Sequence, residues 1–355
     1  MSHQPAELTL ELTPSARVDV IDLRRLFPSE HREALAPYPR CLYWSGHTTA
    51  GFLGRGLASR LTRQRRVGNY LEAFQTLFPE GAGYEHDRLE RRDDLDTAQR
   101  RIEPRNAHSH LAYIAAGLRP CVRHPNQPGE AVCFVDLDGV NSGQPRRRMV
   151  RVIGYHDEEE VARQRLEVPA SGHPIDSINL RDRRLGIDQQ LTELVRTHGV
   201  THGRLHLALA EGQRDAGLTI NEYETLLMRH DLADVLRDPL RFAAEKGRHI
   251  LADPLAVPAK TLEYARYDLL RVMNQVVDLL GLRHSLAERV LARAFAVPAA
   301  RVFRLRRSVS LLVSDSHDDR APSLVAGRYQ SPILVQWQPP ASPARLLDVT
   351  LTRLR

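Results

Sequence analysis

The sequence predicts an α+β protein made of two diverged copies of one small domain, residues 1–158 and 159–355. Three observations carry this. Similar segments recur in the same order in both halves. Strand-like alternation and helical spacing both occur within each half. The chain has 355 residues, 42% of them hydrophobic, enough for two separate cores.

The first copy opens with Leu10-Glu11-Leu12, then Val18-Asp19 and Ile21-Asp22-Leu23; the second opens with Leu166-Glu167-Val168, then Ile175-Asp176 and Ile178-Asn179-Leu180. Further on, His47-Thr48-Thr49-Ala50-Gly51 aligns with Gln213-Arg214-Asp215-Ala216-Gly217, and Cys133-Phe134-Val135-Asp136 with Ile333-Leu334-Val335-Gln336. Each copy closes on a β-rich run, Met149 to Ile153 and Leu347 to Leu351. The period is far longer than a solenoid unit, so the pattern is a domain duplication. The acidic run Asp157-Glu158-Glu159-Glu160 marks the join and is expected to be a solvated turn.

Leu8–Leu12 and Val18–Ile21 alternate with period two, as half-buried strands do. Cys41–Trp44 is an apolar strand, and Ala131–Leu137 another that ends at an Asp138-Gly139 turn. Tyr70, Phe74, Leu77 and Phe78 give Asn69–Phe78 a helical spacing that Pro79 stops. Ala107–Ala116 reads as a helix closed by Gly117, and Ile187–His198 as an amphipathic helix followed by Gly199. A longer helix is expected over Lys260–Leu280. Each copy is therefore expected to be a mixed sheet covered by helices.

Composition excludes several classes of function. Aromatics, at 6%, are too sparse for stacking platforms on single-stranded nucleic acid. The net charge of +6 suits a phosphate-bearing ligand or weak nucleic-acid affinity and discriminates poorly between them. The three cysteines have no paired spacing and read as small buried hydrophobes rather than a disulfide framework. The opening residues lack a basic and an apolar signal region, and no apolar run reaches the ~20 residues that span a bilayer, so a cytoplasmic location without membrane contact is expected. Arg63-Gln64-Arg65-Arg66 and Arg146-Arg147-Arg148 are expected to be solvated loops, and nucleic acid is not the expected partner. No Walker loop, nucleophile elbow, HExxH or paired CxxC is present.

Of sixteen histidines, those of the first copy keep unusual company. His47 follows an apolar strand, His86 lies in the glycine-rich segment Gly81–Asp87, and His108 and His110 open a helix. Strand ends and helix N-termini display polar chemistry. If His47, His86 and His110 converge, three neutral imidazoles can ligate Zn²⁺ with an open position. Protonated or donating, they can instead hold phosphate and trade protons. The structural alternative is that each caps a helix or bonds a carbonyl.

The first copy resembles the YjbQ family, the secondary thiamine-phosphate synthases. The resemblance rests on His47-Thr48-Thr49-Ala50-Gly51, on Pro79 to Asp87, on Asn106-Ala107-His108-Ser109-His110-Leu111 and on Val135-Asp136-Leu137-Asp138-Gly139. The second copy is similar at Gly217-Leu218-Thr219-Ile220-Asn221-Glu222, and its Gly327-Arg328-Tyr329-Gln330 resembles the family's Gly-Thr-Trp-Gln. The departures divide between the copies. The first copy has Phe52-Leu53-Gly54 in place of Ile-Asn-Glu, Gly129-Glu130 in place of Trp-Gln, and Ala112 in place of a lysine. The second has Gln213 where the first histidine belongs, and no equivalent of the His108–His110 segment.

By resemblance, family members are trimers of a compact α+β domain, so a homo-oligomer with trimeric or pseudo-trimeric domain packing is expected. The split departures imply a composite site, with histidines from one copy and Asn-Glu and Tyr-Gln from the other. On that reading His47, His86 and His110 are metal ligands or catalytic donors, and Glu222 is general base or extra ligand. Asn221 and Gln330 orient substrate, with Thr48, Asn106, His108 and Arg328 as further contacts. The resemblance implies a divalent metal, Zn²⁺ or alternatively Mg²⁺. It implies a phosphorylated small-molecule substrate, as in coupling a pyrimidine diphosphate to a thiazole phosphate. The competing expectation is a non-catalytic binding module or pseudoenzyme for a phosphorylated metabolite.

Overall fold

In the computed structural model, the structure describes residues 4–141, 143–237, 242, 305–315, 322–340 and 342–355. The helix expected over Lys260–Leu280 lies outside them. The strands, in chain order, are β1 (Ala6–Leu12), β2 (Asp19–Asp22), β3 (Arg40–Ser45), β4 (Ala50–Phe52), β5 (Cys121–Pro125), β6 (Cys133–Asp136), β7 (Val140–Asn141), β8 (Gln144–Pro145), β9 (Arg148–Tyr155), β10 (Glu158–Pro169), β11 (Asp176–Asn179), β12 (His202–Leu209), β13 (Ala216–Glu222), β14 (Ser308–Ser314), β15 (Ser323–Val325), β16 (Gln330–Gln336) and β17 (Ala344–Leu354). The α-helices are α1 (Leu23–Leu26), α2 (Ser29–Leu35), α3 (Arg55–Arg63), α4 (Val67–Leu77), α5 (Thr97–Ile102), α6 (Ala107–Ala115), α7 (Ile187–Thr197) and α8 (Leu232–Arg237). The mix of helices and strands in several sheets is the expected α+β class.

The residues group into two compact units, and each draws on both halves of the chain. The first comprises Met1–Ser59, Gly117–Tyr223 and Leu305–Arg355; the second comprises Arg60–Ala116 and the segment that begins at Glu224.

Among the described residues all the sheets belong to the first unit, and their topology repeats. One sheet runs β1-β9-β3-β5, and a second runs β10-β17-β12-β14 with β15 added at its edge. In each, the opening strand pairs with the closing strand, which pairs with the third. The smaller sheets β2-β6-β4 and β11-β16-β13 repeat in the same way. The registers match the sequence alignment. Asp19 and Ala50 both lie opposite Asp136, and Asp176 and Ala216 both lie opposite Gln336. A one-residue slip would turn every apolar side chain to the other face, so agreement in register carries more weight than agreement in strand count.

Alternation builds the cores. Along His202–Leu209 every second residue is buried, and Leu205, Leu207, Val349 and Leu351 meet in one cluster. Leu10, Leu12, Tyr43, Phe52, Phe134, Val150 and Val152 form the corresponding cluster of the first half. All three cysteines are buried, as expected. Gly117 and Gly199 follow α6 and α7 with φ of 62° and 54°, the left-handed conformation that ends a helix.

Two expectations are corrected. The acidic run is not a solvated turn: Glu158, Glu159 and Glu160 open the twelve-residue strand β10. Their charge is met by arginines, Glu158 by Arg123 of β5 at 2.6 Å and Glu159 by Arg353 of the paired strand β17 at 3.0 Å, so the run is tolerated in a ladder. The Arg146–Arg148 run is not wholly solvated. Arg148 starts β9, is buried, and forks onto the Asp136 carboxylate at 2.6 and 2.8 Å. A bidentate, hydrogen-bonded partner is what makes a buried guanidinium acceptable.

The described part of the second unit is helical. Tyr70 on α4 donates its hydroxyl to Ala116 O at 2.9 Å, tying α4 to the end of α6. Phe78 and Tyr84 pack edgewise and tilted against Phe242. Helix α6 is buried along its whole length, which is why its sequence shows little amphipathic contrast.

Candidate functional site

In the second unit, the loop after α4 carries His86 and helix α6 carries His108 and His110. All three are buried. A ring nitrogen of His86 and one of His110 lie within 4.8 Å of each other, and their ring centroids are 5.3 Å apart.

Asp87 sets this geometry. Its Oδ1 accepts from His86 Nδ1 at 3.1 Å and from the backbone N–H of Ala107, the first residue of α6, at 3.0 Å. The preceding Asn106 makes no side-chain cap, so Asp87 does that work from outside the helix. The same bond fixes the tautomer. A carboxylate accepts only, so Nδ1 carries the proton and the His86 lone pair is on Nε2. A carboxylate behind an imidazole is also the arrangement that supports metal-ligating histidines.

Asp231 holds the other side of the loop, accepting from the backbone N–H of Glu85 and of His86, both at 3.0 Å. Asp231 comes from the second half of the chain and ends a π-helical stretch, Leu227–Asp231, that runs into α8. A π-turn displaces the following residues around the helix and is frequent at functional sites.

Arg92 also contacts His86. Its Nη1 donates to His86 Nε2 at 3.0 Å, and Nε and Nη2 fork onto Asp94 at 2.9 and 2.7 Å. Glu224 lies 3.8 Å away. The hydrogen bond from Arg92 holds the Asp94 carboxyl below the usual carboxylate range.

In the first unit, the His47 loop meets residues of the second half. Gln330 Nε2 donates to Ser45 O and His47 O, both at 2.9 Å, and Gln330 Oε1 accepts from Gly327 N at 3.1 Å. Asn221 Nδ2 donates to Thr48 O at 2.9 Å. Glu222 is half-buried at the end of β13 and is the cross-strand partner of Gln330. His47 Nε2 accepts from Met149 N at 3.0 Å, so the neutral ring carries its proton on Nδ1. Burial, and then the Arg148 and Arg146 guanidiniums, push His47 down to about 4, so it is neutral at pH 7. Arg328 is exposed and stacks its guanidinium on Tyr329, 5.1 Å from the ring centroid.

Each residue singled out in the sequence therefore has a definite place. His86, His108, His110 and Asn106 come together around α6. His47, Thr48, Asn221, Glu222 and Gln330 come together at the end of β13. Contacts of Thr48 and His47 with the second half run through backbone carbonyls. The sequence reading missed Asp87, Arg92, Glu224 and Asp231. Asp87 follows a candidate histidine directly. The other three have no motif and are brought in by the fold.

No protein-family model matches the sequence, and no curated protein does. Solved structures do. The chain is similar to a YbjQ-like protein of unknown function from Sulfolobus solfataricus P2, at 15% identity and a TM-score of 0.29, over 56% of this chain and 99% of that one. A hypothetical protein from Aeropyrum pernix K1 matches at 14% identity and a TM-score of 0.27, over 54% of this chain and 98% of its own. An uncharacterised conserved protein of the YjbQ/UPF0047 family from Clostridium acetobutylicum matches at 16% identity and a TM-score of 0.24, over 54% and 99% of the two chains.

Proposed function

We propose that the chain is a metal-dependent enzyme acting on a phosphorylated small molecule, with His86 and His110 as ligands of a divalent ion. The observation that carries this is the buried pair of imidazole nitrogens within 4.8 Å, one with its tautomer set by Asp87. Two imidazole nitrogens, one of them on a ring backed by a carboxylate, suit Zn²⁺ better than Mg²⁺, which favours oxygen ligands. Glu222 is the proposed carboxylate ligand or general base.

When bound, a divalent ion would neutralise charge on a phosphate or pyrophosphate group. The remaining proposed roles belong to the chain. Neutral His47 offers Nδ1–H as a donor. Gln330 and Asn221 fix the loop that carries it, through the carbonyls of Ser45, His47 and Thr48. Arg328 and the exposed Tyr329 supply a cation and a ring face for substrate. The coupling of a pyrimidine diphosphate to a thiazole phosphate is the first reaction to assay.

The test is calorimetric titration of inorganic pyrophosphate with and without Zn²⁺. Binding that requires the metal and disappears in His110→Ala is expected. Absence of pyrophosphate binding with either Zn²⁺ or Mg²⁺, together with no turnover of the thiamine precursors, contradicts the reading.

A further inference from the structure

The His86 Nε2 lone pair, which would bind a metal, is engaged by a cation of the protein's own. Arg92 Nη1 is 3.0 Å from Nε2. A guanidinium stays protonated in proteins and has no acceptor capacity, so Arg92 is the donor and the imidazole lone pair is the acceptor. A zinc–imidazole bond is about 2.0–2.1 Å long. An ion at that distance along the same lone pair would sit on top of the Arg92 nitrogen. The two cations exclude each other.

We propose that Arg92 is a resident competitor for the metal: it occupies His86 Nε2 when no ion is bound and must withdraw for one to bind. The surroundings are built for such an occupant. The Arg92 side chain is only 1% exposed, yet its charge is met by a two-bond fork to Asp94 and by Glu224 at 3.8 Å. Asp94 is half-exposed at 51%, whereas His86 is fully buried. The fork to Asp94 therefore provides an anchor on the solvent side, to which the guanidinium can stay bound while releasing His86. Residues 85–92 already contain the arginines Arg88 and Arg91 paired with Glu85, so the loop holds its charges by local pairing. The consequence is a metal affinity set by the cost of breaking the Arg92–His86 contact, and lower than the ligands alone would give.

This rests on the metal reading above, and the experiment separates the two. Zn²⁺ affinity is measured by competition with a chromophoric chelator for the wild-type chain, Arg92→Met and Arg92→Lys, with circular dichroism to confirm folding. A hydrogen bond to a charged group is worth enough that its removal should tighten zinc binding on the order of 10- to 100-fold in Arg92→Met. Arg92→Lys keeps the buried charge but loses the planar fork, and should fall between the two. It carries the test if Arg92→Met fails to fold. Adding His86→Ala to the tighter variant should abolish the gain. Equal, His86-dependent affinity in all three chains overturns the competitor role and leaves the metal reading standing. No zinc binding in any of the three overturns both.

Discussion

Replacing Asp87 with alanine is the sharpest probe of how the site is held, because one oxygen does two jobs. Asp87 Oδ1 accepts from His86 Nδ1 at 3.1 Å and from Ala107 N at 3.0 Å, and the side chain is only 10% exposed. Losing the acceptor at the α6 N-terminus costs about 0.5–2 kcal/mol, as for loss of an N-cap. Leaving the buried His86 N–H without this acceptor costs about 1–3 kcal/mol. Taken together at mid-range, Asp87→Ala should lower unfolding stability by about 2–4 kcal/mol. The ring also loses the bond that fixes its tautomer, so zinc affinity should fall about 10- to 100-fold, as for other supporting carboxylates. Asp87→Asn separates the effects, since its amide oxygen can still accept from Ala107. It should recover most of the stability but not the charge behind His86. Urea denaturation and chelator competition measure the two quantities. An Asp87→Ala chain that unfolds at the wild-type midpoint and binds zinc as tightly as wild type would refute this role for Asp87.

Three further predictions concern the first unit. His47, His124 and His206 are each pushed down to about 4, with burial the leading cause. A histidine whose folded value is depressed contributes stability that is full above its unfolded value near 6.5, and loses it as pH falls toward 4. For buried His124 the loss is about 3 kcal/mol; His124→Phe should remove that share, and urea midpoints that stay flat from pH 7.5 to 4.5 would contradict the assignment. Asp136→Ala strands the buried Arg148 guanidinium and should cost about 3–5 kcal/mol by equilibrium denaturation. A Cβ on Gly327 would overlap the carbonyl oxygen of Gly46. Gly327→Ala should therefore push the two loops apart, cost about 1–3 kcal/mol, and speed hydrogen exchange at residues 46–48.

Much of the fold was legible because it is repetitive at the residue level. Alternation marks β1, a β-rich run marks β17, glycines with positive φ end α6 and α7, and pairing of Ala50 and Ala216 with Asp136 and Gln336 follows the alignment of the two halves. What stayed hidden depends on partners distant in sequence. Glu158–Glu160 looked like a turn because the arginines that neutralise the run include Arg123 and Arg353. Arg148 looked solvated because Asp136 is twelve residues away on another strand. The histidines were visible from their setting, since strand ends and helix starts have recognisable spacing. Their supports were not. Asp231 lies 145 residues from the His86 amide it accepts from, and no local pattern connects them. Nor does composition distinguish Arg92 from the other arginines of its loop.

Whether His86 and His110 hold a divalent metal ion is tested most directly by equilibrium dialysis against Zn²⁺, with elemental analysis of both compartments. About one zinc per wild-type chain is expected at saturation, with loss of that ion in both His86→Ala and His110→Ala. Zinc that fails to bind the wild-type chain, or that binds equally to both variants, would contradict it.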